Sequence, residues 1–449
     1  MHLFTYVHLK NFLSFGNITF NLKKNSNCSK NFIAVYGENG SGKSNFVRSI
    51  ELLRRTLTSF DLLRRADKVT EFLESEDDVF PEELKQILLS EIDIINVISS
   101  CRTIDCQEAT VVEYGFLLNG HEGIYRIEFT DRISRESLYY FTGKQRGYLF
   151  DIENDTDETI KAKFNGNLFA NDRVKQEFNA EIKKYWGRHT FLAIVMQQIQ
   201  EKNIGYINES ISEYLLAVIN MLTNISVINK SSNRHNSGII TSKPDNILSD
   251  LRHGRINKNQ IPLLHKTERV LRDFFTQAYA DIKDIMYEIN DMANDNVRYQ
   301  LYVDKMIAGK IRHISFENES SGTQQILEII RTLLGLFCGV TVVYDEIDNG
   351  IHDILLNQIL DSIVDEITGQ LIITTHNTML LEKMDPHSAY VIQVDHLGNK
   401  EAHCITDYSV QSNNNNRIKY IKGLFGGTPY IDGIDYSTII NEIEKEEAE

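Results

Sequence analysis

No stretch of the 449 residues approaches the roughly 18 uncharged apolar residues of a membrane-spanning helix. The opening MHLFTYVHLKNF has neither a basic start nor a small-residue cleavage site. The expected location is therefore cytoplasmic, with no membrane partner. Cysteine is sparse and scattered: Cys28, Cys101, Cys106, Cys338 and Cys404 form no CxxC pair and have no histidine at zinc spacing. This excludes a disulfide framework and points to free thiols. An excess of positive charge is also missing. The chain carries 47 Lys and Arg against 63 Asp and Glu, a formal charge of −16, which opposes non-specific attraction of the whole molecule to a phosphate backbone. The pairs Arg54-Arg55 and Arg64-Arg65 fall on expected helices and read as solvated faces. A local basic groove, and so DNA as a partner, stays open. The chain has no internal repeat.

What is present is a globular composition, 42% apolar and 24% charged, in a chain long enough for one large or two ordinary domains. Alternation through Phe4, Tyr6, His8 and Lys10, followed by NFLSFGNITFNL, predicts two strands of an edge sheet. NFIAVYG, Asn31 to Gly37, is continuously apolar and ends in glycine, the profile of a buried strand feeding a phosphate loop. From Asn45 to Leu63, residues Phe46, Ile50, Leu53, Leu57 and Phe60 recur at helical spacing. A further helix is expected from Pro81-Glu82-Glu83, and the runs between Val111 and Tyr140 predict an antiparallel meander. From about Gly205 to Asn294 the pattern reads as helical, most clearly at Leu271, Phe274, Phe275, Ala278, Ile282, Ile285 and Ile289. KSSNRHNSG, Lys230 to Gly238, interrupts it as a loop, and the asparagine run Asn413 to Asn416 reads as another.

Residues 37 to 44, GENGSGKS, fit the phosphate-loop pattern GxxxxGKS. Glycines there let backbone N–H groups close around a β-phosphate, the lysine reaches the β- and γ-phosphates, and the serine hydroxyl serves Mg²⁺. The expected nucleotide-binding residues are Asn39, Gly40, Ser41, Gly42, Lys43 and Ser44. A second apolar run, VTVVYDE at 340 to 346, ends in two carboxylates. Asp345 would hold Mg²⁺ together with Ser44, and Glu346 would accept a proton from the attacking water. Upstream, FENESSGTQQ places Ser320, Ser321 and Gly322 at the start of an expected helix Gln325 to Phe337, where N–H groups and hydroxyls suit a phosphate. Downstream, LIITTH ends in His376, which can hydrogen-bond a γ-phosphate. Alone, the last three are ordinary strand and helix ends. Four in this order carry the argument.

The order GENGSGKS, ESSGTQQ, VVYDEIDNGIH and TTHN resembles the ABC/SMC superfamily and, more closely, OLD-like and RecF-like bacterial ATPases. NFLSFGN, the strand meander, LLHKTE at Leu263 to Glu268 and YIKGLFGGTPYI at Tyr420 to Ile431 have counterparts there, so most of the chain is covered. Fold class and organisation implied by the resemblance are α/β, a bilobed ABC-type P-loop ATPase head. Residues 1–200 would form an N-terminal lobe with the phosphate loop and an antiparallel β subdomain. A helical insertion would span 201–300, and 301–449 would hold the signature, the carboxylate strand and the histidine.

The resemblance further implies ATP and Mg²⁺ as cofactors, and a homodimer or higher homo-oligomer. In it, the phosphate loop of one chain faces Ser320, Ser321 and Gly322 of another, and Asp348 to His352 cross the seam. Gln197, closing FLAIVMQQ read as an apolar strand, is the candidate glutamine between the lobes. The chain departs from the wider superfamily in reading ESSGT for LSGGQ, and Leu13 stands where relatives often carry arginine. The insertion is too short for a long coiled coil. After His376 there is no Glu…DxD metal set, so a built-in nuclease is not expected. Relatives of this build occur in bacterial abortive-infection and other phage-defence operons of the Septu, AbiL and PARIS kinds. This implies an ATPase serving a separate effector protein from the same operon. A RecF-like DNA-repair ATPase and a non-hydrolysing ATP-dependent scaffold are the alternatives.

Overall fold

The computed structural model describes residues 2–25, 28–64, 93–155, 159–202, 204–229, 248, 250–408, 415–428 and 436. Its fold is mixed α/β, built on three sheets and two hydrophobic cores. At the centre lies a six-stranded sheet in the order β11 (Ile225–Ile228), β16 (Thr341–Tyr344), β17 (Gln370–Thr374), β5 (Phe32–Tyr36), β18 (Ala389–Val394) and β19 (Lys400–Cys404). All neighbours are parallel except the last pair. Its central strands β5, β16 and β17 are short runs buried on both faces, as a parallel sheet covered on each side requires. Successive residues of one strand therefore enter different cores. Ile33, Val35, Val343 and Ile372 join the first core, while Ala34, Tyr36, Val342 and Ile373 join the second.

The first core is closed by a seven-stranded antiparallel sheet. Its order is β10 (Ile160–Phe164), β9 (Arg146–Asn154), β8 (Ile133–Phe141), β7 (His121–Phe129), β6 (Thr110–Leu118), β1 (His2–Phe12) and β2 (Phe15–Asn21). The expected meander is therefore present and longer than anticipated. Of the two N-terminal strands, β2 forms the edge, and β1 lies inside, between β2 and β6. The helix Lys43–Leu57 runs between this sheet and the central one, burying Phe46, Val47, Ile50, Leu53 and Leu57.

A third sheet orders β12 (His253–Asn257), β14 (Asn296–Ile307) and β13 (Ile282–Asp291), with β15 (Lys310–Ser315) on β14. It belongs with the helices Ile261–Ala278 and Ser321–Leu336 to the second core. A small pair, β3 (Lys23–Asn25) with β4 (Cys28–Ser29), completes the strands.

The helical reading of 205–294 is corrected here. Helices Ile204–Ser210, Glu213–Thr223 and Ile261–Ala278 accord with it, but Ile282, Ile285 and Ile289 lie on β13, and the segment 201–300 also contains β11, β12 and the start of β14. The cause is a β-bulge between Ile282 and Asp284. The extra residue turns Ile282 and Ile285 into the same core, so a strand acquires the three- and four-residue spacing of a helix. Near the C-terminus, Asn415 caps the helix Asn416–Ile421, so Asn416 opens a helix rather than ending a loop. The helix expected from Pro81 and the loop at Lys230 to Gly238 lie outside the described residues.

Candidate functional site

The phosphate loop leaves the C-terminal end of β5, the standard exit for ligand sites in parallel sheets. Residues 37 to 42 turn directly into the helix that begins at Lys43. Gly42 has φ 109°, and a Cβ there would lie 2.6 Å from the Phe15 ring, so only glycine fits. A Cβ at Gly37 would lie 2.5 Å from Ser41 Oγ. Asn39 and Gly40 are exposed, and Ser44 is half-buried in the first helical turn.

Lys43 is nearly buried, and its Nζ donates to the Gly37 carbonyl at 2.7 Å and the Glu38 carbonyl at 3.1 Å. Burial pulls its pKa below the ordinary lysine value, against the opposing fields of Glu346, Asp345, Asp348 and Glu38. Asp345, Glu346 and Asp348 follow the end of β16, two strands from β5 with β17 between. Asp345, 1% exposed, accepts the Thr374 hydroxyl at 2.6 Å. The Glu346 N–H donates to the same Thr374 oxygen at 2.8 Å, and Glu346 sits at φ 49°, an unusual conformation for a residue with a Cβ. Thr374 ends β17, which pairs in register with β16, so one hydroxyl pins both carboxylate residues.

His376 follows two residues later. Burial, then the Lys43 charge, pulls its pKa below the usual histidine value, with Asp348, Glu346 and Asp345 acting the other way. Both effects favour the neutral ring, which can donate one N–H. Asp348 Oδ2 accepts the His376 backbone N–H at 3.1 Å. Among the described residues Asp348 Oδ1 is buried without a partner, and so is Ser41 Oγ.

The fold thus brings Lys43, Asp345, Glu346, Asp348 and His376 together at the ends of three adjacent strands. It does not bring Ser320 and Ser321 to them. Both serines are exposed, and among the described residues neither hydrogen-bonds the phosphate loop. Ser320 caps the helix Ser321–Leu336, its Oγ accepting from Thr323 N–H at 3.2 Å. Gly322 abuts the turn after the carboxylates, where an added Cβ would lie 2.8 Å from the Gly350 carbonyl. Behind the serines, Glu319 is buried and paired with Lys305 Nζ at 2.8 Å, which fixes the helix start to β14.

Gln197 is corrected in its local structure. It lies within the helix Phe191–Glu201, not at a strand end, and its amide donates to Glu201 at 2.8 Å. It lines a cavity of about 570 Å³ with Phe60, Tyr185 and His189, and no residue of the phosphate loop or the carboxylate cluster lines that cavity. Thr374 and Lys400 are the residues the motifs did not single out. Thr374 lies inside the TTHN run. Lys400 has no motif at all.

The arrangement suits a magnesium-bound triphosphate. Among the described residues Ser41 Oγ is a buried polar atom without a partner beside a glycine-shaped cradle, and the buried Lys43 is hydrogen-bonded to that cradle and within the field of the carboxylates. Among the described residues no cluster of three or more His, Cys, Asp or Glu could hold a metal by itself. Mg²⁺ needs none, since it takes one or two protein oxygens and completes its shell with phosphate and water. Ser44 and Asp345 would supply those oxygens, and the ion would neutralise the phosphate charge there.

The folded chain is similar to the SMC head domain from Thermotoga maritima, at 13% identity and a TM-score of 0.38, covering 89% of this chain and 98% of that one. It is also similar to the Pyrococcus furiosus Smc head domain with an extended coiled coil bound to the C-terminal domain of ScpA. There the identity is 13% and the TM-score 0.40, with 94% of this chain and 100% of that one covered. Similarity to the recombination mediator protein RecF has 11% identity and a TM-score of 0.36, over 89% of this chain and 98% of that one. A comparison with curated proteins gives no match. Among the described residues no helix is long and apolar enough to cross a membrane. Residues 32–382, most of the chain and all four motifs, match the family described as "AAA domain, putative AbiEii toxin, Type IV TA system", and the chain belongs to that family.

Proposed function

We propose that the chain binds Mg·ATP on residues 37–44 and hydrolyses it between two copies of itself, each lending Ser320, Ser321 and Gly322 to the triphosphate held by the other. The observation that carries this is a separation. Lysine, carboxylates and histidine gather in one chain, while the serine-rich helix start stands exposed and unengaged with that chain's own phosphate loop.

In this reading Lys43 holds the β- and γ-phosphates, and Ser44 and Asp345 hold the ion. Glu346 takes the proton from the attacking water. Thr374 fixes Glu346 through the backbone N–H, a bond that leaves the carboxylate uncommitted to it. The neutral His376 donates its N–H to the γ-phosphate. The two serines and the helix start add N–H groups that complete the charge cage only in the assembly.

The wider role we assign is antiviral defence through a separate effector protein. The family's description, which names a toxin of a type IV toxin–antitoxin system, supports a place in such modules. An acidic chain also suits a protein partner better than a nucleic-acid backbone.

The test is Glu346→Gln. The variant retains ATP binding, loses turnover by a factor on the order of 10² to 10⁴, and accumulates a complex of twice the monomer mass in ATP. Parental turnover in this variant removes Glu346 as the base, and a monomer at every ATP concentration removes the composite site.

A further inference from the structure

Lys400 opens β19 at the edge of the central sheet, 360 residues in sequence from the loop it touches. Its Nζ donates to the Gly40 carbonyl at 2.8 Å and to Ser14 Oγ at 2.6 Å. Ser14 Oγ in turn accepts from Asn45 Nδ2 at 2.7 Å, so the lysine, the β1–β2 turn and the first turn of the phosphate-loop helix form one cluster. The Phe15 ring, the same ring that fills the space behind Gly42, lies 5.7 Å from Nζ.

The lysine is presented by a stiff turn. Asp395 accepts from the backbone of Leu397 and Asn399 and from the Asn399 amide, and Gly398 takes φ 81°. Among the described residues no carboxylate pairs with Lys400. Burial lowers its pKa, with only Glu38 acting the other way. An ammonium has three donors and two are in use. What remains is a partly desolvated cation beside the loop with one uncommitted N–H.

Its side of the loop can be identified. In the central sheet β16, whose end leads into Asp345, Glu346 and Asp348, lies two strands from β5 on one side, and β19, which opens with Lys400, lies two strands from it on the other. The γ-phosphate end of a bound nucleotide faces those carboxylates. The opposite flank, where Lys400, Ser14 and Asn45 meet, faces the nucleoside end.

We propose that Lys400 is a nucleotide-binding residue that takes the phosphate next to the nucleoside, an anion contact supplied by the C-terminal sheet edge; this rests on residues 37–44 being an ATP site. It fills with a lysine from far along the chain the flank on which Leu13, at the β1–β2 turn, offers no charge.

The experiment measures ADP and ATP affinity, by calorimetry on the full chain, for the parent, Lys400→Gln, Lys400→Arg and Lys43→Ala. Lys400→Gln is expected to weaken ADP and ATP equally, by about tenfold, the scale of one charge-assisted hydrogen bond, with the turnover loss falling on KM rather than kcat. Lys400→Arg recovers most of the affinity. Parental ADP affinity in Lys400→Gln, or a loss that Arg does not recover, overturns the assignment. A parent chain that binds neither nucleotide overturns the ATP-site reading itself, so the two failures are distinct.

Discussion

Thr374 shows how much a single hydroxyl can hold. It donates to Asp345 and accepts from the Glu346 N–H, so both carboxylate residues take their position from it. Thr374→Val keeps the shape and removes both bonds. The expected result is a fall in kcat of about tenfold or more from lost positioning and a stability loss of about 1–3 kcal/mol from the unpaired buried oxygen, read by steady-state assay and thermal melting. Glu136 is the other residue with a measurable signature. It is fully buried, and burial pushes its pKa up to about 7, against hydrogen bonds from Phe191 N, Tyr125, Trp186 and Leu192 N that favour the ionised form. Unfolding returns the carboxyl to an ordinary value near 4.5. Between those values the folded chain binds the extra proton, so this contribution is full below about pH 4.5 and disappears as pH rises through about 7, a change on the order of 3 kcal/mol. Melting temperatures across that window should therefore slope less in Glu136→Gln than in the parent, and equal slopes would exclude Glu136 as the source.

At the level of elements, the sheets are joined by a side chain that no motif marks. Gln370 opens β17, is fully buried, accepts from Phe4 N–H and donates to the carbonyls of Phe4 and Lys30. It fastens the antiparallel sheet to the central one. Gln370→Leu should cost about 2–4 kcal/mol, three buried hydrogen bonds, with a lower denaturant midpoint and unchanged nucleotide contacts. The helix start at Ser320 separates two roles in the same way. Ser320 caps its helix, so Ser320→Ala should lose about 1 kcal/mol of stability. Ser321 is exposed, so Ser321→Ala should melt like the parent and lose only what it gives to another chain. The elements that sequence reading placed well were those whose burial has one period. β5 and β16 are apolar throughout because both faces are covered, and Phe46, Ile50, Leu53 and Leu57 face one core from one helix. β13 imitates the helical period through its bulge, and the helix bearing Gln197 imitates a covered strand because Phe191 to Val195 are buried on every side.

For the whole molecule the decisive question is whether a complete site needs two chains. Lys43→Ala and Ser321→Arg should each be inactive alone. An equal mixture should recover about a quarter of parental turnover, because half of the dimers are mixed and each mixed dimer holds one intact site of two. No recovery on mixing would exclude the shared site.

The sequence alone determined the local chemistry: a glycine-shaped loop before Lys43, two acids after an apolar strand, serines before a helix and a histidine after a strand. These depend on neighbours within a few residues, where backbone conformation and side-chain type are coupled directly. Tertiary structure decided what those groups meet. Parallel pairing of β5, β17 and β16 set Lys43, Asp345, Glu346 and His376 side by side, and antiparallel return through β19 carried Lys400 to the flank of the loop. Such meetings arise from sheet order and register, which a single chain's periodicity does not encode.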